Sequence, residues 1–454
     1  MKHTQLTEGI SLLKKKMAAL LAAVMMGTAL AGCSTGMGTT NGSANASGTP
    51  AASSANPDEK ITLTMWGGVP AESGPQAVVD AWNAENPNVQ VKYERFVNDD
   101  AGNLKLDTAL ATGQDADLFV SYSKTLLQRR VDAGFALDLS AYSDYDIDEN
   151  IPGADEWKID DKYYGMPTVK SNFFVWFNKE LLDEAGLPLP EEWTWQEMKA
   201  YAEKLKGDKR YGLVQHTEPF PDPLDSVSMK FGYTKADGTS HMDHPLYGEW
   251  METLKSMMDD GWTTVPYAEQ VTSKMPVDTV FLSGEAAMLN AGTWIFRSSN
   301  NMKDNPRTFK IAFAPVPRLA EDPADYVTRG GTGDAISINA NSKHKDAAWT
   351  FLKWYADGGM LPMVPGGRLP ASKAVDADDT MKLLLGENAD TYDQESLKRV
   401  LFNDDVKYSR SLPQQVMDLR QEEYENFFTG KKDVQTTLAD IARRHNEFLK
   451  PNGS

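Results

Sequence analysis

Three groups of side chains have types and spacings that could do chemistry. Asp144, Asp146, Asp148 and Asp155 occupy the first, third, fifth and twelfth positions of an EF-hand-like loop, where carboxylate oxygens would hold a hard cation. Position six is Glu149 in place of the glycine such a loop turns on. Position twelve is an aspartate where a bidentate glutamate is usual, so a solvated acidic loop is the expectation. His241, Asp243 and His244 could bind zinc, but they fall in a loop bounded by Gly-Thr-Ser and a proline, with no evident fourth ligand. Gly330, Gly331 and Gly333 have the look of a phosphate cradle, yet no Lys-Ser/Thr follows them, and a tight turn or close backbone approach is the better use. Neither a Gly-x-Ser-x-Gly elbow nor a His-Glu-x-x-His pair occurs. With 65 acidic residues, a carboxylate pair at any separation can be found, so counting alone does not exclude a glycosidase. No metal and no cofactor is expected.

Cys33 is the only cysteine in 454 residues, so no disulfide can form within the chain. Ahead of it, Lys14, Lys15 and Lys16 precede an uncharged, mostly apolar run from Met17 to Leu30. A basic flank and a short apolar core describe a signal peptide, and the run is too short for a spanning helix. Its end, Leu30-Ala31-Gly32-Cys33, resembles the lipobox of bacterial lipoproteins, which implies acylation of the thiol and cleavage before it. Residues 1–32 are then removed, and a lipid on Cys33 replaces them as the anchor. They carry four Lys and one Glu, so 46 − 4 = 42 basic and 65 − 1 = 64 acidic residues remain, a net charge of −22. That balance disfavours nucleic acid and anionic surfaces as partners. From Ser34 to Asn56 the chain is almost wholly Ser, Thr, Gly, Ala, Asn and Pro, and residues 33–59 read as a lipidated cysteine on a flexible tether.

The body begins at Lys60 with short apolar runs alternating with amphipathic stretches. Strands are expected at Ile61–Trp66, Val89–Phe96 and Leu118–Ser121, with helices at Gln76–Asn86 and Leu104–Ala111 between them. That order implies a mainly parallel sheet covered by helices. A second α/β run has a strand at Phe173–Asn178 and a helix at Glu192–Leu205. Further helices are expected at Tyr247–Asp259, Lys345–Ala356, Gln414–Phe428 and Val434–Lys450. A body of this length should form two lobes.

An ordered series of segments across almost the whole body resembles the family 1 extracellular solute-binding proteins of ABC transporters. It runs from Ile61-Thr-Leu-Thr-Met-Trp66 and Asp117-Leu-Phe-Val-Ser121 through Tyr164-Gly-Met-Pro167, Phe177-Asn-Lys-Glu-Leu-Leu182, Ala185-Gly-Leu-Pro188 and Trp193-Thr-Trp-Gln-Glu-Met198. It continues with Phe281-Leu-Ser-Gly-Glu-Ala-Ala-Met288, Gly292-Thr-Trp294, Ala314-Pro-Val-Pro317, Gly330-Gly-Thr-Gly333, Ala347-Ala-Trp-Thr-Phe-Leu352 and Gly366-Gly-Arg-Leu-Pro370. The resemblance implies an α/β, two-lobed periplasmic-binding-protein-like fold with an interlobe cleft and a multi-strand hinge. Crossings are expected near Thr168, Gly292 and Leu352, giving lobes of 60–168 with 293–352 and 169–292 with 353–454.

It also implies a carbohydrate ligand, delivery to ABC-transporter permease subunits, no catalysis, and a monomer held on the extracytoplasmic face of the cell membrane by its lipid. A pyranose offers apolar C–H faces to aromatic rings and a girdle of hydroxyls to carboxylates, amides and guanidinium groups. Carried over by segment, the ligand-binding candidates are Trp66, Gly67, Asp117, Ser121, Tyr122, Ser171, Asn172, Trp294, Gly331 and Arg368. Trp294 would be the platform under the sugar. An extracellular carbohydrate-active enzyme and a tethered sugar sensor on the same fold are the alternatives.

Overall fold

The computed structural model describes residues 60–216, 227, 231–318, 327–328, 330–402, 407–408 and 412–450. Residues 1–59, which include Cys33, the expected signal peptide and the whole of the expected tether, lie outside the described residues. Pro57–Ser454 forms one compact unit, and all the described residues belong to it. None of its described helices is long and apolar enough to cross a membrane.

Strands β1 (Ile61–Gly67), β2 (Val89–Arg95) and β3 (Leu118–Ser121) run parallel in the order β2-β1-β3, as the strand–helix alternation requires. The helix Pro75–Glu85 opens on proline, whose missing N–H costs nothing in a first turn. The helix Asp100–Thr112 is capped by the Asp99 carboxylate, which accepts from the Gly102 N–H at 2.7 Å, and it ends at Gly113 with φ 69°. The helix Trp195–Leu205 starts with a capping box in which Thr194 and Glu197 satisfy each other's backbone N–H.

A single 13-residue strand, β4 (Met166–Asn178), belongs to two sheets. Its first half pairs antiparallel with β9 (Gly330–Ile338) and with the short β10 (Leu369–Pro370), and β9 in turn pairs with β3. Its second half lies between β6 (Ala286–Gly292) and β7 (Ile311–Pro315), with β5 (Tyr211–Gln215) parallel to β6. The short strands β8 (Val327–Thr328) and β11 (Lys407–Tyr408) pair separately. Leu63, Met65, Val91 and Ile336 of the first sheet pack on Trp349, Phe351 and Leu352. On the second sheet, Val175, Phe177 and Met288 pack against Met198, Trp250 and Leu438. Its other face brings Phe174, Trp176 and Phe313 against Phe281, Phe296 and Leu397.

The passages between sheets differ from the expected ones. Pairing with β9 ends at Asn172 and pairing with β6 begins at Phe173, so the first passage lies beyond Thr168. After Gly292 the chain does not return to the first sheet. Ile295, Phe296, Ile311 and Phe313 stay in the second core because β7 covers the free edge of β4. The chain is back in the first sheet at Gly330. The last passage falls at Met363 and Val364 rather than Leu352, since Tyr355, Met360 and Met363 still pack in the first core while Val364 and Leu369 pack in the second.

Candidate functional site

The pairing directions bring one set of strand ends to the junction. The carboxyl ends of β1, β2 and β3 lie with the start of β9 and the middle of β4, because Ser121 is opposite Ala335 and Asn172 is opposite Gly330. From the other sheet the carboxyl ends of β5, β6 and β7 arrive at the same place, with Gly292 opposite Phe173 and Pro315 opposite Phe174. Ligands of open α/β sheets sit beyond such ends.

Three expected ligand residues are committed elsewhere. Trp66 is 5% exposed and packs among Phe96, Leu106 and Phe119, its indole N–H donating to the Asp115 carbonyl at 2.9 Å. The strand's alternation turns it toward the helix Asp100–Thr112, not the junction. Asp117 precedes β3, at the far end of that strand, where its carboxylate accepts from the Thr64 N–H at 2.9 Å and the Ser342 hydroxyl at 2.5 Å. Ser121 is fully buried and accepts from Arg130 at 2.8 Å. Arg130 itself is held by Asp107 at 2.8 Å and by Asn103 at 2.9 Å.

At the junction, Gly67 and Gly68 are braced by two tyrosines. A Cβ on Gly67 would fall 2.6 Å from the Tyr93 hydroxyl, and one on Gly68 would fall 2.9 Å from the Tyr122 ring. The Gly68 N–H donates to the Tyr122 oxygen at 2.6 Å, and the Tyr93 hydroxyl donates to the Val69 carbonyl at 2.7 Å. Burial pushes both phenols well above their ordinary pKa. Next to them Asp334 follows the glycine run with φ 48°, an uncommon backbone for a side-chain-bearing residue, and meets the Arg368 Nε at 3.4 Å. Burial raises the Asp334 carboxyl pKa and the Arg368 charge opposes the rise. Tyr93, Tyr122, Thr168, Asp334 and Tyr355 share one narrow cavity.

Ser171 is half-buried and faces Gly331 across the β4–β9 ladder, where Gly330 and Gly331 take φ values of 143° and 93° that other residues avoid. Asn172 is 2% exposed, and its amide donates to the Val400 and Leu401 carbonyls at 3.2 and 3.1 Å. These are carbonyls at the end of the helix Gln394–Leu401, which lack intrahelical partners, so Asn172 ties that helix to the strand.

Trp294 lies half-buried directly over Gly292, with the edge of Phe173 at a centroid distance of 4.9 Å and the His216 ring at 6.3 Å. Burial lowers the His216 pKa while Asp278 pulls it up. The His216 Nε2 and the side-chain amides of Gln215 and Asn290 are buried without hydrogen-bond partners among the described residues. Gln215 and Asn290 are neighbours in the β5–β6 register. The structure thus brings together Gly67, Tyr122, Ser171, Gly331, Trp294 and Arg368, and adds Tyr93, Phe173, His216 and Asp334, which the sequence reading missed. The one available signal was position: Asp334 closes the glycine run, and Tyr93 lies two residues before the end of its strand.

Elsewhere, three of the four carboxylates of the EF-hand-like loop are occupied. Asp144 takes the Trp349 indole and Lys353, Asp146 caps a short helix, and Asp148 takes Lys158 at 2.8 Å and the Tyr163 hydroxyl at 2.7 Å. His244 accepts from the Leu246 N–H, and Asp243 pairs with Lys235. No metal-competent group of three such side chains occurs among the described residues.

The profile of the family described as bacterial extracellular solute-binding protein matches residues 67–357. A binding protein of Brucella abortus is 27% identical over 407 residues, covering 84% of this chain and 91% of the relative. The maltotriose-binding protein of Pyrococcus abyssi is 26% identical over 289 residues, 62% of this chain and 58% of that protein. An ABC substrate-binding protein of Listeria monocytogenes, solved in complex with cycloalternan, matches with a TM-score of 0.70 at 22% identity, over 86% of this chain and 99% of its own. Maltose-bound MalE3 of T. maritima matches with a TM-score of 0.68 at 21% identity, over 86% of this chain and 100% of its own. These likenesses carry the two-lobed α/β fold, and with the profile spanning most of the body, the chain belongs to the bacterial extracellular solute-binding proteins.

Proposed function

We propose that the protein captures a carbohydrate at the junction of its two sheets and delivers it unchanged to the permease of an ABC transporter. The observation that carries this reading is Trp294: a half-buried indole laid over Gly292, at the carboxyl end of β6, beside the Asp334–Arg368 pair. An apolar ring face next to paired charged donors and acceptors is what a pyranose requires. Relatives and neighbours named for maltotriose, maltose and cycloalternan support the carbohydrate class.

In this reading the solute lies against Trp294, with Tyr122 and the Gly67-Gly68 loop on one side and Ser171, Gly331 and Arg368 around the middle of β4. The sheets close over it by bending where β4 passes from one to the other, and the closed form is what the permease recognises. The protein needs no nucleotide, since the transporter hydrolyses ATP. It works as a monomer on the extracytoplasmic face, held to the cell membrane by a lipid on Cys33.

A thermal-shift screen against mono- and oligosaccharides tests the reading, because a ligand that binds only the native state raises its melting temperature. A shift with at least one saccharide, with no hydrolysis product in the same mixture, is the expected result. Turnover would replace capture with catalysis as the function.

A further inference from the structure

The chain as a whole is strongly acidic, with a formal net charge of −19. Three arginines at the junction run against that average. Arg95 is the last residue of β2, opposite Gly67 and on the same face as Tyr93 two residues before it. Arg297 stands in the short helix Phe296–Ser299, one turn beyond Trp294. Arg368 leaves the segment Leu361–Gly366, and that segment is fastened to the same short helix: the Asn300 amide donates to the Pro365 carbonyl at 3.0 Å, and Gly367 lies so close to Thr293 that a Cβ would meet its carbonyl oxygen at 1.9 Å. Arg297 and Arg368 therefore flank Trp294, and Arg95 comes from the other sheet.

The negative charge available to them is small. Asp334 is shared with Arg368 at 3.4 Å, and Asp278, which also faces Arg297, accepts from the Ser298 hydroxyl at 3.0 Å. Neither Arg95 nor Arg297 makes an ion pair or a side-chain hydrogen bond among the described residues, and both are exposed. Partial burial of the guanidinium, and after it the like charges of Arg368 and Arg95, lower the Arg297 pKa, while Asp278 opposes the fall. A neutral solute would leave this repulsion in place and shut two unpaired cations under a closing cleft, which is unfavourable. An oxyanion would relieve it, because the guanidinium fork matches carboxylate and phosphate oxygens.

We infer that the solute is an anionic saccharide, bearing a carboxylate or a phosphate, whose charged group is held by Arg95 and Arg297 with Arg368 beside them. This rests on the carbohydrate reading above and narrows it.

Calorimetry and thermal shift on the mature, unlipidated chain test it with three arms: oligogalacturonides, neutral oligosaccharides of the same length, and hexose phosphates. The expected result is binding of one anionic arm roughly tenfold or more tighter than the neutral arm, weakening severalfold between low and high salt as the charges are screened. Which anionic arm binds separates carboxylate from phosphate. R95Q and R297Q, both at exposed positions and so expected to keep the unliganded melting temperature, should each reduce the affinity for that ligand by about tenfold. Neutral oligosaccharides binding as tightly as both anionic arms, or anionic binding untouched in R95Q and R297Q, would overturn the inference while leaving carbohydrate capture standing. No shift with any saccharide of either kind would overturn both.

Discussion

Gly292→Ala tests the role of Trp294 without altering the tryptophan. Gly292 has φ −93° and ψ −175°, a backbone that alanine adopts freely, so the substitution brings no conformational strain. Its new Cβ would, however, lie 2.1, 2.6 and 2.7 Å from three carbons of the Trp294 ring. A comfortable carbon–carbon contact is about 3.5 Å, so the ring must retreat by about 1.4 Å. That movement separates it from the edge of Phe173, now at 4.9 Å, a contact of the kind that contributes about 0.5–1.5 kcal/mol. A sugar stacked on the ring meets it in the wrong place, and about 1–2 kcal/mol of binding should be lost, or roughly a 5- to 30-fold rise in Kd. Overpacking should also lower stability by about 1–3 kcal/mol. Calorimetry with the saccharide that gives the largest thermal shift, run beside W294A, measures the first quantity. An unchanged Kd in G292A together with a changed tryptophan near-ultraviolet signal would refute the platform role, since the ring would have moved and the ligand would not have noticed.

R130A should destabilise the protein by about 3–5 kcal/mol in a denaturant titration, because it strips Asp107, Asn103 and Ser121 of their shared buried partner. S121A should leave saccharide affinity unchanged in calorimetry while weakening the fold by about 1 kcal/mol. Thr194→Ala breaks the capping box and should cost about 1 kcal/mol by the same titration. Burial lowers the pKa of His216 and His445 below the unfolded value of about 6.5, so the unfolded chain binds more protons under that pH. Their contribution is full above that pH and is lost as pH falls through and below it. The melting temperature should drop between pH 7 and pH 5, and H445Q should drop less. C33S should move the protein from the membrane fraction to the medium on cell fractionation.

The elements most legible in the sequence were those whose packing partner is fixed by their own periodicity. β1, β3 and the helices from Pro245 to Asp259 and Gln414 to Phe428 fall within a residue or two of the expected bounds, because one buried face leaves a regular apolar pattern. The first half of β4 escaped notice since Lys170, Ser171 and Asn172 interrupt that pattern, and only the β9 ladder makes them a strand. Which sheet a strand joins is a long-range fact. Nothing in Ile311–Pro315 says that it will cover the far edge of β4, and the domain boundary expected at Gly292 was misplaced for that reason. In the site, Trp66 was a ligand candidate by its segment at the end of β1, yet strand alternation turns it inward. Tyr93 and Asp334 carry no local signature beyond their positions, since it is the meeting of β2 with β9 around β1 and β3 that gives them a common cavity.

The continuity of β4 has a consequence for chain length. Phe174 and Trp176 fill one core and Val175 and Phe177 the other, while Met166–Asn172 remains zipped to β9. Deleting a single residue between Ser171 and Phe173 would leave the upstream zipper intact and invert everything downstream, sending the Trp176 indole into the layer that now accommodates Val175. Two deletions would restore the parity. The bend of this molecule is therefore a place where insertions and deletions can be even but not odd, however freely its surface loops grow or shrink.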